Sequence, residues 1–162
     1  MYADFLAFLA PEGTPPIADP NLTPELLEFA HLTSAPPWAS TMDEVLKFHR
    51  EYMKALETQP QLRIVRTKDD LDRDGIKIIL GLQRPPEPRD SGFVGIGALK
   101  QEGIKIITLA YEGKTKYGGG FALPDEPLTP HGEDFIRECA DQGMILDLSH
   151  SGHTTVVDAL VF

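Results

Sequence analysis

His150 and His153 stand three residues apart, shortly after the mostly apolar run from Met144 to Leu148. A His-x-x-His spacing can offer two nitrogens to one metal ion, but a catalytic zinc ordinarily takes three protein ligands. The spacing suits separate duties better, with His153 in the first turn of a following helix and His150 at the end of a strand. At that position His150 can serve a site, cap the next helix or hydrogen-bond a loop. Asp147 lies inside the strand, where an unpaired carboxylate is costly, so it is expected to accept hydrogen bonds that fix the loop bearing His150. Two further apolar runs end in polar residues, one in Gln83 and one in Tyr111 and Glu112. Open sheets and α/β barrels carry their chemistry at the carboxyl ends of strands, which makes Gln83, Tyr111, Glu112 and His150 one candidate set.

The elements that position these residues follow a repeated grammar. Gly75, Gly103 and Gly143 each lead into an apolar strand, at spacings of 28 and 40 residues. Such spacings suit βα units with one enlarged loop and are too irregular for a solenoid. Thr129 is suited to cap a helix over Pro130–Gln142, with Gly143 at its left-handed exit. Thr41 and Glu44 form a capping box for a second helix, in which Val45, Phe48, Tyr52, Met53 and Leu56 recur at helical spacing, ending near Glu57. Further helices are expected at Thr23–His31, Lys68–Asp74 (carrying Leu71), around Gly92–Glu102 and at Thr154–Leu160. Residues 11–22 and 33–40 read as loops, and Leu62–Val65 as the first strand. The fold class is α/β: four parallel strands with alternating helices, about half of an eight-stranded barrel. Half a barrel leaves two apolar strand edges unpaired, so an open sheet, a partner chain or an incomplete product are the alternatives.

Fifteen basic against 25 acidic residues give 162 residues a formal charge of −10, which argues against nucleic-acid and anionic-membrane partners. Cys139 is the single cysteine, expected as a buried structural thiol. The apolar start, Met1–Ala10, is short and contains Asp4, a poor signal peptide, and no run approaches a membrane span; a cytoplasmic location is the default. Gly118 to Gly120 lacks the rest of a phosphate loop and reads as a flexible loop. Arg84 and Arg89, among prolines, are expected to be solvated unless they meet a carboxylate. His131 is expected to be solvated at a helix start, and His31 and His49 to sit in helices.

From Lys77 to Leu160 the chain resembles the membrane (renal) dipeptidase family of zinc peptidases, which are α/β barrels. Ile78 to Gln83 resembles the strand that carries a metal-bridging carboxylate, and Glu102 to Tyr111 resembles "GVRYLTLTH". Leu128 to Arg137 resembles "GLTPFGKEVVRE", and Gly143 to His150 resembles "GMLVDLSH". The resemblance implies one partial dipeptidase-like barrel domain over 1–162, with a helical and loop segment at 1–60 and βα units at 61–162. It implies metal-assisted hydrolysis of a dipeptide by a zinc-activated water, with His150 as the catalytic residue that binds substrate and stabilises the tetrahedral intermediate. Gln83 and Tyr111 are the accompanying substrate-binding candidates, and Asp147 the structural support. Gln83 stands where the family bridges its two zinc ions with a carboxylate, and no His-x-Asp occurs in the sequence. The family cofactor is zinc, none is assigned to this chain, and the isolated chain is expected to be inactive as a dipeptidase. The alternative is a non-catalytic binding or scaffold domain. The expected ligand is a dipeptide or amino-acid-like molecule, with self-association or a partner chain covering the strand edges.

Overall fold

A computed structural model describes residues 3–7, 27–87, 95–122 and 124–162. The expected loop at residues 11–22, the start of the Thr23 helix and Arg89 lie outside the described residues. In chain order the elements are β1 (Ala3–Ala7), β2 (Phe29–Thr33), α1 (Met42–Glu57), β3 (Leu62–Ile64), a 3-10 turn (Lys68–Asp72), β4 (Ile76–Leu82), α2 (Ile96–Gln101), β5 (Ile106–Thr108), α3 (Pro130–Gln142), β6 (Ile145–Asp147) and α4 (His153–Val161).

Local chemistry sets the boundaries of the two longest helices. The Thr41 side chain accepts from the Glu44 amide while Glu44 reaches back to the cap, closing the box that starts α1. Thr129 accepts from Gly132, Pro130 opens α3, and Gly143 ends it at φ 64°. Gly75 and Gly103 also adopt positive φ, 115° and 95°, so all three glycine-led strands begin with a turn that other residues resist.

Every pairing between strands of the described residues is parallel, in the order β1-β2-β4-β5-β6 with β3 beside β4. β2 pairs with β4 over residues 77–81; the opposite edge of β4 is shared, with β3 taking residues 76–78 and β5 residues 81–82. The register aligns side chains across the strands. Thr33, Gly81, Ile106 and Ile145 form one row on a single face of the sheet, and Thr108 pairs with Asp147 in the row above. Extending the same register by two residues sets Gln83 opposite Thr108. The other face carries Ala30, Leu32, Ile76, Ile78 and Leu80, which pack with Tyr52, Met53 and Leu56 of α1. A second cluster joins Ile107 and Leu109 to Ile96 and Leu99 of α2 and Phe135 and Cys139 of α3.

Several expectations are corrected. Phe29–His31 belongs to a strand rather than to a helix, because Ala30 and Leu32 alternate onto the helix-packed core while His31 faces the other way. Among the described residues, the segment 1–60, read as helix and loop, thus contributes two strands, and six strands stand where four were expected. Leu62–Ile64 is the third strand, not the first, and the turn after it stops at Asp72 with Leu71 41% exposed. Asp70, not Leu71, organises that turn: its carboxylate accepts from the Arg66 and Thr67 amides and the Thr67 hydroxyl.

His49 is in a helix as expected, but fully buried, with Nε2 3.2 Å from the Glu102 carbonyl. Burial, aided by Arg66 and Arg50 and opposed by Glu102, holds its pKa below the ordinary histidine value. A buried neutral imidazole must take up a proton on unfolding in acid. Stability from this group is therefore present above about pH 6.5 and falls as pH drops from there toward the folded-state pKa. Denaturant midpoints measured at pH 7.5 and 5.5 are expected to fall for the wild type and to differ less for His49→Gln.

Candidate functional site

The carboxyl end of β6 builds an unusual turn. Asp147 Oδ1 accepts from the Ser149 amide at 2.8 Å, and the Ser151 amide closes back onto the Leu148 carbonyl at 3.1 Å. Between them His150 is held at φ 66°, the only non-glycine in the left-handed region among the described residues. Such a residue costs on the order of 1 kcal/mol relative to ordinary backbone, a strain typical of sites that must aim a side chain. The imidazole is aimed at Tyr111, with ring centroids 4.8 Å apart, and Phe121 closes the group at 5.9 Å from His150 and 6.0 Å from Tyr111. His150 Nε2 is shielded from solvent and has no hydrogen-bond partner.

Tyr111 is fixed by its own backbone. Its carbonyl accepts from the Phe121 amide at 3.1 Å, and Glu112 accepts from Ala122 at 2.8 Å, tying the strand exit to the segment after the glycines. Gly118 to Gly120 is not the flexible loop expected. All three glycines are buried, the Thr115 hydroxyl accepts from the Gly118 amide, and Thr155 Oγ1 accepts from Gly119 while donating to Glu126. Gly119 in turn accepts from Gly152 at 2.8 Å, and Gly120 bridges to Ser151 next to His150. The glycines are there because neighbouring atoms occupy the space a Cβ would need: the Thr155 side chain at Gly118, Glu126 at Gly119 and, 2.2 Å away, the Tyr111 carbonyl oxygen at Gly120. Thr155, fully buried, is a residue the sequence reading missed, since a threonine inside a helix carries no local signal of a distant partner.

Gln83 is buried just past β4, with Oε1 lacking a partner. Together with Thr108 and Asp147 it forms a polar row above the apolar layer of the sheet. Glu112 is exposed beside Tyr111. The remaining candidates separate from this group: His131 and His153 are exposed on helix starts, and His31 is buried in β2 with Nε2 filling the place of a Gly81 Cβ. Cys139 is buried with its thiol pushed up to about 12 by desolvation and by Glu138, unsuited to nucleophilic work. Arg84 is not simply solvated: Nη2 pairs with Glu87 at 2.7 Å and Nη1 approaches the Pro37 carbonyl at 3.5 Å.

A cleft of about 530 Å³ opens at these strand ends. Its walls come from the loops after β2, β4 and β5, and include Trp38, Arg84, Tyr111, Glu112 and Lys114. Trp38, unremarked in the sequence among prolines and serines, is 58% exposed there.

No group of three or more His, Cys, Asp or Glu side chains capable of holding a metal ion occurs among the described residues. No helix among them is long and apolar enough to cross a membrane.

A sequence model of the membrane dipeptidase family, peptidase family M19, matches residues 31–162. Among solved structures, the chain is similar to an amidohydrolase from Pseudomonas aeruginosa, at 19% identity and a TM-score of 0.76, covering 98% of this chain and 49% of that one. It is also similar to a metallopeptidase from Rhodobacter sphaeroides solved with a phosphinate mimic of the dipeptide L-Ala-D-Ala, at 16% identity and a TM-score of 0.64, covering 82% and 49%. A probable dipeptidase, PvdM, from Pseudomonas aeruginosa matches at 17% identity and a TM-score of 0.67, covering 84% and 40%. The chain thus spans half or less of the length of each of these structures, and the likeness speaks to the shared fold.

Proposed function

The chain belongs to the membrane dipeptidase family, and from that premise we propose that it forms the substrate-handling half of a dipeptidase-like metallohydrolase site. The observation that carries this reading is His150, held in a strained left-handed turn with its ring against Tyr111 and an unpartnered Nε2. An imidazole so fixed can meet the carbonyl oxygen of a scissile peptide and support the charge that develops there. Asp147 shapes the turn, Tyr111 sets the plane of the ring, and Gln83 offers an amide oxygen to an N–H donor.

The described residues do not fit a pair of zinc ions. They offer no cluster of three ligands, and Gln83 supplies a neutral amide where the family resemblance expects a bridging carboxylate. The purified chain is accordingly expected to show no turnover of dipeptides with zinc supplied; metal-dependent hydrolysis would contradict this. The substitution at Gln83 also favours a second reading, a non-catalytic domain that binds the same ligand class.

Binding tests the shared core of both readings. Calorimetric titration with a phosphinate dipeptide mimic is expected to show saturable binding, weakened tenfold to a hundredfold in His150→Asn, which tolerates the left-handed backbone. That range corresponds to the roughly 1.5–3 kcal/mol of a hydrogen bond to a charged group. Equal binding by wild type and variant would remove His150 from the site.

We also expect self-association. β6 pairs only with β5 among the described strands, Ile145 is 58% exposed, and Leu160 and Val161 are 71% and 82% exposed on α4 nearby in sequence. Open strand edges with exposed apolar side chains favour pairing with another chain. Sedimentation equilibrium should give an average mass that rises with concentration; a concentration-independent monomer would contradict it.

A further inference from the structure

The cleft between the loops after β2 and β4 has features that the hydrolytic reading does not use. Trp38 is presented by a tight turn in which the Ala39 amide closes onto the Pro36 carbonyl at 3.0 Å. Two bonds from Ser34 to the Gly81 carbonyl tie the start of this loop to β4, and the Glu87 amide donates to the Ser40 carbonyl at 2.7 Å from the far side. A large indole, 58% exposed, is thus held on a braced loop at the edge of a concave site. Arg84 lies on the neighbouring wall, held by Glu87 and the Pro37 carbonyl, and its Nε–H has no acceptor. Its 3.5 Å contact to Pro37 is weak enough for a ligand oxygen to replace. Glu112 lines the same cleft as a negative charge opposite in sign to Arg84, and the other cation of the lining, Lys114, is paired with Glu126 at 3.1 Å, so the walls suit a ligand that carries both charges better than a simple anion.

We propose that this cleft is a specificity subsite for a small zwitterionic peptide ending in an aromatic residue, whose ring stacks on Trp38 and whose free carboxylate pairs with Arg84. Aromatic stacking supplies affinity beyond area burial, and a guanidinium is well matched to a carboxylate in geometry. The proposal rests on the reading of these strand ends as a substrate site, but its binding step needs neither metal nor turnover.

Trp38 is the single tryptophan of the chain, so its emission reports on this cleft alone. The whole chain in chelator-containing buffer is titrated with the dipeptide Gly-Phe, its C-terminal amide and Gly-Ala. A saturable change in emission with Gly-Phe is expected, with affinity at least tenfold weaker for the amide and for Gly-Ala. Arg84→Ala should lower Gly-Phe affinity at least tenfold and bring it to that of the amide. The ligand series on the wild type keeps the test independent of any effect of the substitution on folding. Equal affinity for acid and amide would overturn the role of Arg84, equal affinity for Gly-Phe and Gly-Ala would overturn the stacking role of Trp38, and an unchanged emission with Gly-Phe would overturn the subsite. Gly-Phe binding that is unaffected by His150→Asn, in a protein that ignores the phosphinate mimic, would sink the proposed function while leaving the subsite standing.

Discussion

Gly120→Ala is expected to lower the melting temperature by about 6–12 °C and to disperse the aromatic group around His150. The added Cβ would sit 2.2 Å from the Tyr111 carbonyl oxygen and 2.6 Å from the Glu112 carbonyl carbon. Both are backbone atoms fixed by the Phe121 and Ala122 amides, so no side-chain rotation can relieve the clash. Relief requires separating the Tyr111 strand exit from the segment that also bridges to Ser151. Overpacking of this kind costs about 3 kcal/mol at the upper end of its usual range, and a domain of this size loses about 2–4 °C per kcal/mol. Gly113→Ala is the matched control. It lies seven residues earlier in the same loop, where an added Cβ meets nothing within 4 Å. It should change stability by no more than about 0.5 kcal/mol. Thermal melts followed by near-ultraviolet circular dichroism compare the two; equal melting temperatures would contradict the clamped-glycine account.

Gln83→Glu is expected to destabilise the chain by about 2–4 kcal/mol at pH 7, the cost of a buried carboxylate with no compensating charge. Gln83 is 7% exposed and its Oε1 already lacks a partner. Desolvation would raise the folded-state pKa of the new carboxyl above its unfolded value of about 4.3. The sign follows from linkage: below about pH 4 both states are protonated and the penalty vanishes, and it grows as pH rises from there to the folded-state pKa. Wild type and variant should therefore converge in acid and diverge at neutral pH. Added zinc should not restore the variant, because no cluster of three ligands stands among the described residues. An equimolar rescue by zinc would mean that the chain holds a metal centre after all.

The parts of the fold that are written locally were legible. Thr41 with Glu44, and Thr129 with Pro130 and Gly143, are short-range signals, and α1 and α3 begin and end where they say. Glycines 75, 103 and 143 announced their strands because only a left-handed turn was needed there. β2 was not legible: Thr23-Pro-Glu mimics a helix start, and five residues alternating between two faces leave little period to read. Phe29, Ala30 and His31 satisfied a helix as well as a strand until their sheet partner, β4, decided the matter. The site divides in the same way. His150, Gln83 and Tyr111 stood out as polar ends of apolar runs. Trp38, Thr155 and the rigidity of Gly118 to Gly120 depend on partners tens of residues away, which spacing alone does not encode.

The central claim is that His150 is the histidine that meets the ligand and that the exposed His131 and His153 are not. It is tested most directly by nuclear magnetic resonance on protein labelled with 15N-histidine, titrated with the phosphinate dipeptide mimic. The account predicts that the ring nitrogens of His150 shift saturably, with the buried His31 and His49 and the exposed His131 and His153 unmoved. Resonances of His150 that stay in place while the mimic binds, or shifts confined to His131 or His153, would contradict it.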